Sequence, residues 1–107
     1  MQRRAMCATV LAAALPRAAR AAAGAAQVYI DNFAFSPAAL TVDAGSRVAW
    51  TNRDDIPHTV TGSATTRVMR SPPLDTGDTY EVTFESPGVF EYFCALHPHM
   101  RGSVTVR

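Results

Sequence analysis

Lysine is absent from this 107-residue chain, and all ten basic residues are arginines. Four of them, Arg3, Arg4, Arg17 and Arg20, fall in an alanine-rich N-terminal stretch, so the formal charge of +1 conceals an acidic remainder. From Gln27 to Arg107, six arginines face nine acidic residues, a net charge of −3 with no basic run. That distribution argues against nucleic acid as a partner. Cysteine is equally scarce, with only Cys7 and Cys94. Cys7 lies in the N-terminal stretch, so Cys94 stands alone downstream and a disulfide framework is excluded. Beyond residue 26 there is no long helical pattern, no repeat, no low-complexity segment and no methionine tract. The length suits one compact domain and not two.

The first 26 residues combine a basic start at Arg3 and Arg4, an apolar stretch from Ala5 to Leu15, and small residues between Ala19 and Ala26. This is the layout of a cleavable secretory signal peptide. Pro16 and Arg17 end the apolar stretch well short of the ~20 residues of a membrane helix, so the mature form is expected to have no membrane span. Cleavage can follow Ala21, Ala23 or Ala26, and Ala26 is favoured. The expected organisation is therefore a signal peptide over 1–26 and one domain over 27–107, periplasmic or secreted.

From Gln27 onward apolar and polar residues alternate with period two, in short runs such as Val28–Phe33, Leu40–Val42, Val48–Trp50, Thr79–Glu85, Val89–Cys94 and Ser103–Val106. Turn signals separate them, among them Ser36-Pro37, Asp43-Ala44-Gly45, Asn52 to Asp55, Asp75 to Asp78 and Ser86-Pro87-Gly88. The pattern predicts an all-β protein, a Greek-key sandwich of roughly seven short strands. Core candidates include Val28, Ile30, Phe33, Phe35, Val48, Trp50, Val60, Leu74, Phe84, Tyr92 and Val104.

One segment carries chemistry. Tyr92-Phe93-Cys94-Ala95-Leu96-His97-Pro98-His99-Met100-Arg101-Gly102 sets a thiol, an imidazole and a thioether at i, i+3 and i+6 between two strands. Soft sulfur donors with imidazole favour copper over magnesium, calcium or manganese. A second imidazole is available at His58, in the turn-rich stretch after the Trp50 strand. Two His, one Cys and a weak axial Met form the ligand set of a blue-copper electron-transfer site. The predicted ligands are His58, Cys94, His97 and Met100, holding one type 1 copper ion; His99 is read as a solvent-exposed neighbour. Met100 alone would more often fill a gap in a core. The combination with Cys94 and two histidines points to a metal.

The chain resembles the cupredoxins, and most closely their amicyanin and pseudoazurin branch. The resemblance rests on Phe33-Ala34-Phe35-Ser36-Pro37, Leu40-Thr41-Val42-Asp43-Ala44-Gly45, Val48-Ala49-Trp50-Thr51-Asn52, Pro57-His58-Thr59-Val60, Tyr92-Phe93-Cys94 and the short Cys-x2-His-x2-Met loop. It implies a diffusible single-electron carrier, monomeric, with transient redox partners: an amine dehydrogenase as donor and a c-type cytochrome as acceptor. It also implies that His97 is the copper ligand nearest solvent. Amicyanins usually carry Asn after the upstream His, bracing the ligand loop; Thr59 stands here, and its hydroxyl is expected to substitute. The alternative function is copper buffering or delivery. An enzyme is not expected, because a binuclear copper centre needs two bridging cysteines and a multicopper oxidase needs further histidine clusters.

Overall fold

The structure, a computed structural model, describes residues 24–63 and 68–107. The N-terminal segment read as a signal peptide lies outside the described residues up to residue 23. Among the described residues eight strands follow in chain order: β1 (Ala25–Asp31), β2 (Ala34–Ser36), β3 (Ala39–Val42), β4 (Ser46–Asn52), β5 (Thr61–Gly62), β6 (Thr79–Phe84), β7 (Gly88–Cys94) and β8 (His97–Val106). They form two four-stranded sheets, ordered β2-β1-β4-β6 and β3-β8-β7-β5. Two pairings, β1 with β4 and β3 with β8, are parallel, and the rest are antiparallel. Parallel neighbours cannot be joined by a tight hairpin. The chain therefore passes between sheets from β2 to β3 to β4, which makes the fold a Greek-key sandwich and not a meander.

Period-two alternation places Val28 and Ile30 of β1, and Val48 and Trp50 of β4, in a continuous core with Tyr92 and Val104 from the opposite sheet. Trp50 meets Tyr92 edge-on, with ring centroids 5.4 Å apart, and Tyr92 meets Phe35 at 4.7 Å. These contacts join the two layers. Met69, a residue the alternation pattern does not select, is also buried here.

Four details differ from the sequence reading. Phe33 is not a core residue: it is 45% exposed. The run from Val28 to Ser36 folds as two strands joined at Asn32-Phe33, both with positive φ (53° and 59°), between the paired residues Asp31 and Ala34. Positive φ at both central residues is the signature of the tight hairpin turn that matches strand twist. Further on, β8 starts at His97 and not at Ser103. At the N-terminus, β1 starts two residues ahead of Gln27, with Ala25 and Ala26 opposite Arg47 and Val48.

Candidate metal centre

The upstream histidine is delivered by the end of β4. Asn52 is fully buried, and its amide donates to the carbonyls of Ile56 (2.9 Å) and Leu74 (2.8 Å) while its oxygen accepts the Asp54 N–H (2.9 Å). A buried amide with both ends satisfied fixes the loop around it. His58 then pairs with Leu74 as an isolated bridge, through His58 N to Leu74 O (3.1 Å) and Leu74 N to His58 O (2.7 Å). Its ring is fully buried. Nε2 lies 2.8 Å from Asp54 Oδ2, an oxygen that accepts when the carboxyl is ionised, which assigns Nε2 as the donor and directs Nδ1 at Cys94 Sγ.

The downstream donors come from a two-residue hairpin. β7 and β8 are joined by Ala95-Leu96, and Cys94 pairs directly with His97. Directly paired residues project to the same face of a sheet, so the i, i+3 spacing becomes side-by-side presentation. The register then jumps: Cys94 opposes His97, but Phe93 opposes Arg101. Pro98, His99 and Met100 are thus a bulge in β8, and a bulge re-aims side chains. Met100 turns inward and is 2% exposed, while His99 stays exposed.

Cys94 Sγ is buried and stands 3.7 Å from His58 Nδ1 and 3.7 Å from His97 Nδ1. The donor atoms of His58, Cys94 and His97 all lie within 4.8 Å of one another. A metal–sulfur bond of about 2.3 Å and a metal–nitrogen bond of about 2.0 Å, opened to a trigonal angle, separate S and N by roughly 3.7 Å. The three residues are therefore spaced to hold a single ion. His99 stands apart from this cluster, its ring centroid 6.4 Å from that of His97.

Thr59 links the two arms. Its N–H points at Cys94 Sγ (3.4 Å), its hydroxyl accepts the Ala95 N–H (2.8 Å), and the same oxygen pairs with the Thr61 hydroxyl (2.9 Å). The bracing expected of its hydroxyl is present.

Two residues at the centre were not picked out as site residues from the sequence. Asp54 accepts Asn32 N–H (2.6 Å), Phe33 N–H (3.0 Å) and the His58 ring. Burial opposes its ionisation, but the amides of Phe33 and Asn32 and the contact with His58 outweigh that and hold the carboxyl below its ordinary value. Phe33 stands edge-on to both imidazoles, at 5.6 Å from His58 and 5.2 Å from His97. Signals for both were present: an acid four residues before a ligand His is a candidate to orient it, and Asp31-Asn32 is turn chemistry that takes the next residue out of strand alternation.

A buried thiol flanked by two imidazoles at one end of a Greek-key sandwich defines a single-ion, soft-donor metal protein. The chain belongs to the cupredoxin-like domain family, whose model matches residues 4–106. It is 36% identical to amicyanin-alpha of Methylorubrum extorquens over 102 residues, covering 92% of this chain and 86% of that one. Amicyanin of Paracoccus denitrificans is 35% identical over 92 residues, covering 83% and 70%. Among solved structures, a purple cupredoxin from Nitrosopumilus maritimus is similar with a TM-score of 0.70 and 37% identity, covering 77% of this chain and 99% of that one.

Proposed function

We propose that this protein is a diffusible carrier of single electrons, exported to the periplasm or beyond, with one type 1 copper that would be held by His58 Nδ1, Cys94 Sγ, His97 Nδ1 and the Met100 thioether. The observation that carries this reading is the convergence of both Nδ1 atoms on one buried sulfur at 3.7 Å. When bound, copper in such a donor set supplies a reversible Cu(I)/Cu(II) couple. The chain's own residues keep the donors in place: Asp54 orients His58, Thr59 ties the hairpin to the His58 loop, and the paired strands fix Cys94 against His97. Donors held this firmly need little rearrangement when charge changes, which suits a carrier and not an enzyme. Copper delivery, by contrast, calls for donors that open easily.

The amicyanin likeness supports an amine dehydrogenase as donor and a c-type cytochrome as acceptor. Exposed Leu96 and Phe33 near His97 offer a small apolar surface for transient docking by a monomer. Among the described residues no helix is long and apolar enough to cross a membrane. Ala25 and Ala26 belong to β1. Their pairing favours signal cleavage after Ala23 over cleavage after Ala26.

Adding copper(II) to the purified protein should produce an intense visible band and a reversible one-electron wave, and Cys94→Ser should remove the band while the sandwich still folds. An intense band persisting in Cys94→Ser excludes the assignment. Rapid surrender of copper to an apo acceptor, without a reversible wave, favours delivery.

A further inference from the structure

We propose that Asp54 is a positioning residue whose single carboxylate both sets the His58 tautomer and clamps the Phe33 turn over the two imidazoles. The inference rests on His58 ligating through Nδ1. Three donors converge on the carboxylate: the Asn32 amide on Oδ1, and the Phe33 amide and His58 Nε2 on Oδ2. The residue is held from its own backbone as well, since its N–H donates to Asn52 Oδ1 and its carbonyl accepts the Thr76 hydroxyl at 2.5 Å. Its side chain is only 12% exposed.

Each contact has a separate consequence. A carboxylate accepting Nε2–H leaves Nδ1 as the ring nitrogen able to ligate, and makes the imidazole a stronger donor to a metal. A carboxylate accepting two successive amides stabilises the positive-φ pair Asn32-Phe33, a conformation that a bulky residue such as phenylalanine otherwise avoids. Phe33 does not enter the core, remaining 45% exposed. Its ring instead abuts His58 and His97 with interplanar angles of 87° and 88°. The same side chain therefore governs which nitrogen His58 presents and what lies against both rings.

The test compares wild type, Asp54→Ala, Asp54→Asn and a charge control, Asp55→Asn, at the exposed neighbouring acid. In metal-free wild type, long-range nitrogen–proton NMR should show His58 protonated at Nε2, and Phe33 should show nuclear Overhauser contacts to both imidazoles. Asp54→Ala should lose the fixed tautomer and weaken the Phe33 contacts. Asparagine offers one oxygen for three donors, so Asp54→Asn should show a partial loss. With copper, a stronger donor stabilises copper(II) more than copper(I). Outer partners of this kind are worth roughly 10–100-fold in metal affinity, so Asp54→Ala should lower copper(II) affinity at least tenfold relative to copper(I), an upward shift of about 59 mV. Asp55→Asn should shift the potential much less. Proton occupancy at His58 Nδ1 in wild type overturns the proposal even if the variants do not fold. So do equal potential shifts in Asp54→Asn and Asp55→Asn, which would reduce Asp54 to a nearby charge. A wild type without a copper-dependent visible band refutes the copper site itself, while the tautomer and Phe33 contacts are still read in the metal-free protein.

Discussion

Thr59 shows how much one side chain of the right size does at this site. Its amide faces the sulfur and its hydroxyl takes the Ala95 N–H, so it couples the upstream ligand loop to the hairpin. Thr59→Val keeps the shape and the backbone contact but removes the acceptor. The expected cost is about 1 kcal/mol, one hydrogen bond whose donor is left beside solvent. Copper should also leave faster, because the hairpin loses a tether. Urea unfolding and copper release to a chelator measure the two effects. Wild-type values for both would show that the hydroxyl braces nothing. Replacement of the usual Asn by Thr was legible in the sequence, and so was the acceptor capacity of a hydroxyl oxygen. Its partners were not, since Ala95 is 36 residues away.

At the scale of elements, the β7–β8 hairpin carries the chemistry, and its geometry depends on a glycine. Gly102 pairs with Tyr92 across the strands. A Cβ on Gly102 would lie 2.4 Å from both Cζ and Oη of the Tyr92 ring, and 2.9 Å from Cε2. That ring is locked in the core, so neither side can yield easily. Gly102→Ala should destabilise the fold by at least the roughly 1–3 kcal/mol typical of overpacking. Combining it with Tyr92→Leu should cost less than the sum of the two single changes. Simple additivity in the double-mutant cycle would refute the clash. The motif Met100-Arg101-Gly102 is visible as a string of letters. That its glycine lies beneath an aromatic ring follows only from the register after the bulge, which sets Phe93 opposite Arg101.

For the molecule as a whole, the core contains a phenol with no good outlet. Tyr92 Oη and Trp50 Nε1 are both buried, and among the described residues neither reaches a partner at hydrogen-bonding geometry. Burial pushes the Tyr92 hydroxyl up to about 12, with the Trp50 indole pulling weakly the other way. The folded state thus favours the neutral phenol. Its contribution is complete below the ordinary tyrosine value of about 10 and is lost as pH rises through 12, an effect on the order of 2 kcal/mol. Urea midpoints across that window should fall in wild type and fall less in Tyr92→Phe. Equal slopes would show that another group controls alkaline unfolding. Metal acts on the whole fold too. Copper that binds only the native state, at a thousandfold excess over Kd, stabilises by about 4 kcal/mol. Scanning calorimetry with and without copper should show the melting temperature fall on removal, and a metal-independent melting temperature would argue against a native-state site.

What the sequence determined by itself is everything governed by short chain separations. Alternation over a few residues implied strands, because side chains in an extended chain must point to opposite faces. The Cys94–His97 spacing implied adjacent donors, because a two-residue turn leaves few other ways to arrange them. Composition excluded disulfides and basic surfaces without reference to any fold. The tertiary structure alone decided which loop meets which. His58 reaches Cys94 across 36 positions only because β4 and β7 lie in opposite sheets closed over one core. Asp54 serves His58 and Phe33 together only because the β1–β2 turn and the loop after β4 emerge at the same end. Phe33 has the apolar character of a core residue, yet the hairpin turn at Asn32-Phe33 puts its ring against both imidazoles. Such long-range meetings depend on strand pairing and turn geometry summed over the whole chain, which no local run of residues encodes.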